Sequence, residues 1–231
     1  MQAGISVRLA SIAARICPFL AVFYPDVVMP LLVNDAELEE ELIADRRARG
    51  IDGFDEVWDG VYVMAPLADD EHQEIVAGFV IALGNLVKLT GLGEVRPGAN
   101  ISNVRSGWTR NFRVPDVLVF LKDTAAENRH THWFGGPDFA IEIVSPGDRS
   151  REKLPFYSEV GVRELLIIDR DPWQLELFRL EAGVLKSVAI ATVSNTIQIQ
   201  SQVVPITMSL IPQQPRPGIL VQPRNGQAWT I

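Results

Sequence analysis

The spacing of apolar and polar positions along the chain changes several times, and each change predicts an element. From Asn34 the run NDAELEEELIADRRARG predicts a helix. Asn34 and Glu37 have the spacing of an N-cap and its capping-box partner, acids lead, arginines close, and Gly50 ends it. In GFDEVWDGVYVMAP, Asp59-Gly60 separates two apolar-aromatic segments, a pattern that predicts a β-hairpin. A second helix starts at Asp69 or Asp70, where Ile75, Val76, Phe79, Val80, Leu83, Leu86 and Val87 recur at helical spacing and form a core-facing stripe. Gly91 stops it. Short strands are expected in GLGEVRPGANISN and around Phe112, followed by two fully apolar runs, VLVFL after Asp116 and FAIEIVS around Glu142. RELLIID, WQLELFRL and VLKSVAIA predict an antiparallel meander. Beyond Ser201 the richness in Pro and Gln predicts an irregular tail with one or two edge strands. The elements together predict a mixed α/β (α+β) chain with its domain at residues 29–200, an N-terminal extension at 1–28 and a Pro-rich tail at 201–231.

Composition narrows the class. A chain of 231 residues with 47% hydrophobic content can bury a sizeable core. The single cysteine, Cys17, excludes an internal disulfide and fits a reducing, cytoplasmic setting. No uninterrupted apolar run reaches the roughly 18–20 residues of a membrane-spanning helix, so no membrane partner is expected. Before Tyr24 and Pro25 no small-x-small cleavage site follows the short apolar patch, so export is not expected, and Met29 is read as the natural start. The net charge of −8 is unevenly placed. Residues 34–94 carry 15 acidic and 4 basic side chains, whereas residues 105–170 carry 10 of each. Within that neutral half, Arg105, Arg110, Arg113, Arg149, Arg151, Lys153 and Arg163 are candidates for a basic patch, against the default of a mixed solvated surface.

The chemistry concentrates between Arg113 and Asp169. Asp116 follows Pro115 at a strand start, and Glu142 lies inside an apolar strand. An ionised carboxylate taken from water without a partner costs several kcal/mol, so such residues are protonated, paired or hold a metal. In a strand, Glu142 shares a face with Ala140 and Val144, while Ile141 and Ile143 point the other way. Asp116, Glu142 and the Ile143 carbonyl supply the hard oxygen ligands that suit Mg2+, with Mn2+ able to substitute. An acid-x-lysine strand would place its lysine at Val144. The nearest replacement is Lys153, in the first turn of a helix capped by Asp148 or Ser150, with Pro155 predicting a kink or a late start. An Asp, a Glu and a Lys on adjoining elements form the equipment for metal-dependent phosphodiester hydrolysis. Glu56 is a candidate third acid, His72 a candidate contact to phosphate or water, and Tyr157 a candidate hydroxyl donor. His130 and His132 form an H-x-H pair, but with no cysteine nearby and a loop-like setting a zinc role is not expected. No Gly-rich loop for a nucleotide cofactor is present. A glycosidase acid–base pair ranks below these readings, because Trp58, Trp108, Trp133 and Trp173 are scattered among unrelated elements.

Glu56 with Asp59-Gly60, His72, Pro115-Asp116, Glu142-Ile143-Val144-Ser145-Pro146, Lys153, Tyr157, Gly161-Val162 and Asp169 occur in an order that resembles the Uma-type endonucleases of the restriction-endonuclease-like PD-(D/E)xK superfamily. The resemblance covers residues 34–180. It implies a restriction-endonuclease-like fold with a mixed central β-sheet flanked by helices, Mg2+-dependent cleavage of DNA, and a lysine moved from the strand to the following helix. A homodimer is expected if both strands of a duplex are cut, since one site cuts one strand. The alternative is a binding or assembly module that keeps the fold without hydrolysis, which the acidic first third favours.

Overall fold

A computed structural model describes residues 36–145, 147 and 149–231. The N-terminal extension, the Asn34 cap, Pro146 and the Asp148 cap lie outside the described residues. Helix α1 spans Ala36–Ala48, with Glu37 and Glu39 in its first turn and Arg46 and Arg47 in its last. Strands β1 (Glu56–Trp58) and β2 (Val61–Val63) form the expected hairpin. Asp59 and Gly60 both take positive φ, 50° and 88°, as a two-residue turn of matching twist requires.

Helix α2 (Asp70–Leu83) is capped by the Asp69 side chain, which accepts from the His72 N–H at 2.8 Å. Its stripe of Ile75, Phe79, Ala82 and Leu83 is fully buried. The stripe continues to Val87 through a π-helical segment at Gly84–Lys88, so one apolar face persists while the backbone bonding widens.

Strands β3 (Gly93–Pro97), β4 (Ile101–Ser102), β5 (Phe112–Arg113), β6 (Val117–Leu121), β7 (Glu127–Asn128), β8 (Trp133–Phe134) and β9 (Phe139–Ile143) follow. After β9 a 3-10 turn at Ser150–Lys153 leads into helix α3 (Leu154–Glu159), whose second residue is Pro155. That is where proline is tolerated, because a first-turn N–H has no intrahelical acceptor to lose. The predicted meander is β10 (Glu164–Arg170), β11 (Trp173–Glu181) and β12 (Val184–Thr192).

The central sheet runs β12-β11-β10-β9-β6-β3 and is mixed, with β9 parallel to β10 and the other pairs antiparallel. Both its faces are covered, which explains the unbroken apolar runs. Val117, Val119, Ile141, Ile143, Leu166 and Ile168 join the α2 side of the core. Leu118, Phe120, Ala140, Leu165 and Ile167 join the α3 side with Phe156 and Tyr157. Each fully buried Leu or Ile contributes about 1.5–3 kcal/mol of transfer free energy. A second sheet, β2-β1-β5-β4-β8-β7, carries the hairpin.

The tail differs from its expectation. The strands β13 (Ile199–Gln200), β14 (Ile206–Ile211), β15 (Gly218–Pro223) and β16 (Trp229–Thr230) form a four-stranded antiparallel sheet. Ile206, Met208, Leu210, Ile219 and Val221 are buried in the core on the α2 side. The high proline count masked the alternation in ITMSLI. Pro205 and Pro217 stand just before strands and Pro223 ends one, positions where a missing N–H breaks little of the ladder. Glu164, fully buried at the start of β10, accepts from Arg179 at 2.9 Å and from the Ser201 hydroxyl at 2.5 Å, tying the tail to the central sheet.

Candidate active site

The site forms where the hairpin meets the ends of β6 and β9. Pro115 leads the chain into β6, and Asp116 immediately precedes that strand. The register pairs Val117 with Ile141 and Leu118 with Ala140, so one step further places Asp116 opposite Glu142. Directly opposed residues of an antiparallel pair project to the same side. Asp116 Oδ2 accepts the Ile143 N–H at 2.7 Å, closing the strand end, and Oδ1 lies 3.2 Å from His72 Nε2. The α2 cap therefore also sets where His72 meets Asp116.

Glu142 is only 3% exposed. Its Oε1 lies 3.1 Å from Lys153 Nζ and accepts the Tyr157 hydroxyl. Lys153 is also buried, at 9% exposure, and its ammonium is shared with Glu56 Oε1 at 3.0 Å. Glu56, the first residue of β1, accepts the Val114 N–H at 2.8 Å through Oε1 and the Trp58 indole N–H at 2.6 Å through Oε2. One ammonium thus lies between two buried carboxylates, an arrangement that compensates for the desolvation of all three. Tyr157 is fully buried, and burial followed by the nearby Glu142 and Glu56 carboxylates pushes its hydroxyl well above the ordinary tyrosine value. It is a proton donor throughout the physiological range.

Glu56, His72, Asp116, Glu142, Ile143 and Lys153 all line one cleft of 170 Å³, with Tyr157 behind Glu142. Val144, where a strand lysine would sit, instead packs among Ala140 and Phe156. Two residues of the cleft were not anticipated as catalytic or metal-binding residues, although Arg149 was a candidate for the basic patch. Trp58 stands two positions past Glu56 in β1, a spacing that returns a side chain to the same strand face, and this is the signal that would have found it. The second, Arg149, stacks its guanidinium 4.5 Å from the Trp58 ring centre, while Arg113 lies 4.6 Å from it.

The candidate basic patch is mostly ion-paired. Arg105 pairs with Glu127, Arg149 with Glu152, Arg151 with Asp169 and Glu176, and Arg163 with Asp138. Arg113 is buried, stacked between Trp58 and Phe156, and burial lowers its pKa. His130 and His132 stand apart from the cleft, and His132 stacks on Trp108 at 5.0 Å.

Among the described residues, no three His, Cys, Asp or Glu side chains form a cluster suited to hold a metal ion. Mg2+ does not need such a cage, since it keeps several waters and takes one or two carboxylates plus substrate phosphates. Asp116 and Glu142, which line the same cleft as Ile143, match that hard-oxygen donor set. No helix among the described residues is long and apolar enough to cross a membrane.

The model of the Uma2 family, described as "Putative restriction endonuclease", matches residues 53–210. The chain is also similar to a solved structure described as a "putative nuclease belonging to DUF820" from Anabaena variabilis ATCC 29413. The identity is 18% over 60% of this chain and 76% of that chain, with a TM-score of 0.49. No curated protein matches the chain.

Proposed function

As the chain belongs to the Uma2 family, we propose that it is an endonuclease that hydrolyses phosphodiester bonds of DNA with Mg2+, or Mn2+ in its place. The observation that carries this reading is the Lys153 ammonium, buried between Glu56 and Glu142 in the cleft that Asp116 also lines. A structural ion pair does not require three carboxylates and a lysine to converge on a cleft, whereas metal-dependent hydrolysis of a phosphodiester uses carboxylates and a cation facing an open space.

Asp116 and Glu142, with the Ile143 carbonyl, would hold the metal. When bound, Mg2+ supplies Lewis acidity toward a phosphoryl oxygen and lowers the pKa of a coordinated water. The chain's own groups have separable tasks. Lys153 offsets negative charge that builds on the phosphoryl oxygens, in a setting with little water to weaken it. Tyr157, held protonated, orients the Glu142 carboxylate through its hydrogen bond. His72 and the Ile143 N–H orient Asp116. Glu56 positions Lys153 and is itself held by Trp58 and the Val114 N–H.

Plasmid nicking in Mg2+ or Mn2+ tests the proposal. Asp116→Ala should lower the rate at least about 100-fold, and nicking equal to that of the wild type would dismiss the assignment. An intact, folded protein that takes up no divalent ion by calorimetry would instead identify a non-hydrolytic module.

The role of Trp58 is testable separately. Trp58→Phe keeps a ring beside Arg113 and Arg149 but loses the 2.6 Å bond to Glu56. The expected result is a kcat lowered about ten-fold with KM unchanged, as for the loss of a supporting hydrogen bond. A change in KM alone would show that Trp58 contacts substrate instead of positioning Glu56.

A further inference from the structure

Besides its acids, the cleft is lined by the apolar residues Phe54, Met64, Pro66 and Pro97. Phe54 is 48% exposed and Met64 37%, so both are accessible to a ligand in the cleft. The Phe54 ring lies against the Gly98 backbone. A Cβ at Gly98 would lie 2.5 Å from Phe54 Cε1, so only glycine lets the ring lie this close to that backbone. The Gly98 N–H donates to the Asp116 carbonyl at 3.0 Å, which ties the aromatic rim to the strand end that bears the proposed metal ligand.

Charge points the same way. The only cationic side chains lining the described part of the cleft are Lys153 and Arg149, and each is engaged with acids: Lys153 with Glu56 and Glu142, Arg149 with Glu152. Nearby Arg151 and Arg170 are paired as well, with Asp169 and Glu176 and with Asp69 and Glu71. Duplex DNA is bound largely by neutralising successive phosphates with free Lys and Arg, and a cleft whose lining cations are engaged, in a chain of net charge −8, offers little of that. Base stacking on an aromatic ring adds to whatever the phosphate contacts supply, needs an unpaired base, and is tolerant of sequence.

Resting on the hydrolase reading, we propose that the substrate is single-stranded DNA, with one unpaired base stacked on Phe54 against the Met64, Pro66 and Pro97 wall and its phosphate directed toward Asp116, Glu142 and Lys153. The neighbouring acids then face the phosphate through the bound cation, while the base supplies the affinity that the paired arginines do not.

Fluorescence anisotropy with a 5′-labelled 12-nucleotide strand and its duplex, with Ca2+ replacing Mg2+, tests this. The strand should bind at least about ten-fold more tightly than the duplex. Phe54→Leu fills similar space against Gly98 but has no π face, and it should weaken strand binding about ten-fold, whereas Phe54→Tyr should retain it. Equal or tighter binding of the duplex, no binding of either, or unchanged binding by Phe54→Leu would each overturn the proposal. The two readings fail separately. Strand preference that depends on Phe54 without Mg2+-dependent cleavage of either the 12-nucleotide strand or plasmid removes the hydrolase reading, and cleavage without that preference removes only the single-strand assignment.

Discussion

Lys153→Met is expected both to abolish nicking and to destabilise the fold. The methionine fills similar volume, but Glu56 and Glu142, at 4% and 3% exposure, lose the cation they share. Removing one partner of a buried ionic group costs about 3–5 kcal/mol, because the remaining charge stays desolvated. For a chain of this size that corresponds to a fall in Tm of about 10 °C, read by calorimetry at neutral pH. The rate should fall at least about 100-fold, since the positive charge facing the phosphoryl oxygens is gone. A variant that melts with the wild type would mean that Lys153 does not compensate the two acids.

Glu142→Gln separates chemistry from stability. Glutamine keeps the volume and an acceptor oxygen for Tyr157 and Lys153, and the ammonium retains its 3.0 Å contact with Glu56. Stability should therefore change by only about 1 kcal/mol, the scale of one hydrogen bond of altered strength. Nicking should nevertheless fall about 100- to 1000-fold, because the negative charge that attracts a divalent ion is lost. The contrast between these two substitutions carries more weight than either alone: the lysine serves both fold and chemistry, the glutamate's charge mainly the chemistry. Nicking by Glu142→Gln at the wild-type rate would remove Glu142 from the reaction.

The parts of this site that were legible in the sequence are those where a residue type conflicts with its surroundings. A carboxylate inside FAIEIVS has few structural uses, and Val144 at the place of a strand lysine directs attention to Lys153, which the 3-10 turn brings to Glu142. Local signals were equally readable, such as the Asp59-Gly60 turn and the Asp69 cap, because each depends on a few consecutive residues. What was hidden depends on elements distant in sequence. The bond from Glu56 to the Val114 N–H spans 58 positions, and the contact between Lys153 and Glu56 needs the hairpin folded over β9. The tail sheet was hidden for another reason, since proline composition suggested irregular structure where the prolines stand at strand ends. The ion pairing of the candidate basic patch also depends on tertiary placement, as with Arg163 and Asp138 or Arg151 and Glu176.

A crystal soaked in Mn2+ gives the most direct test of the central claim. The account predicts anomalous density for one Mn2+ per chain, bound by the Asp116 and Glu142 carboxylates and absent from Asp116→Ala. An intact crystal with no Mn2+ between those two carboxylates, or with Mn2+ only at sites that survive Asp116→Ala, would contradict it.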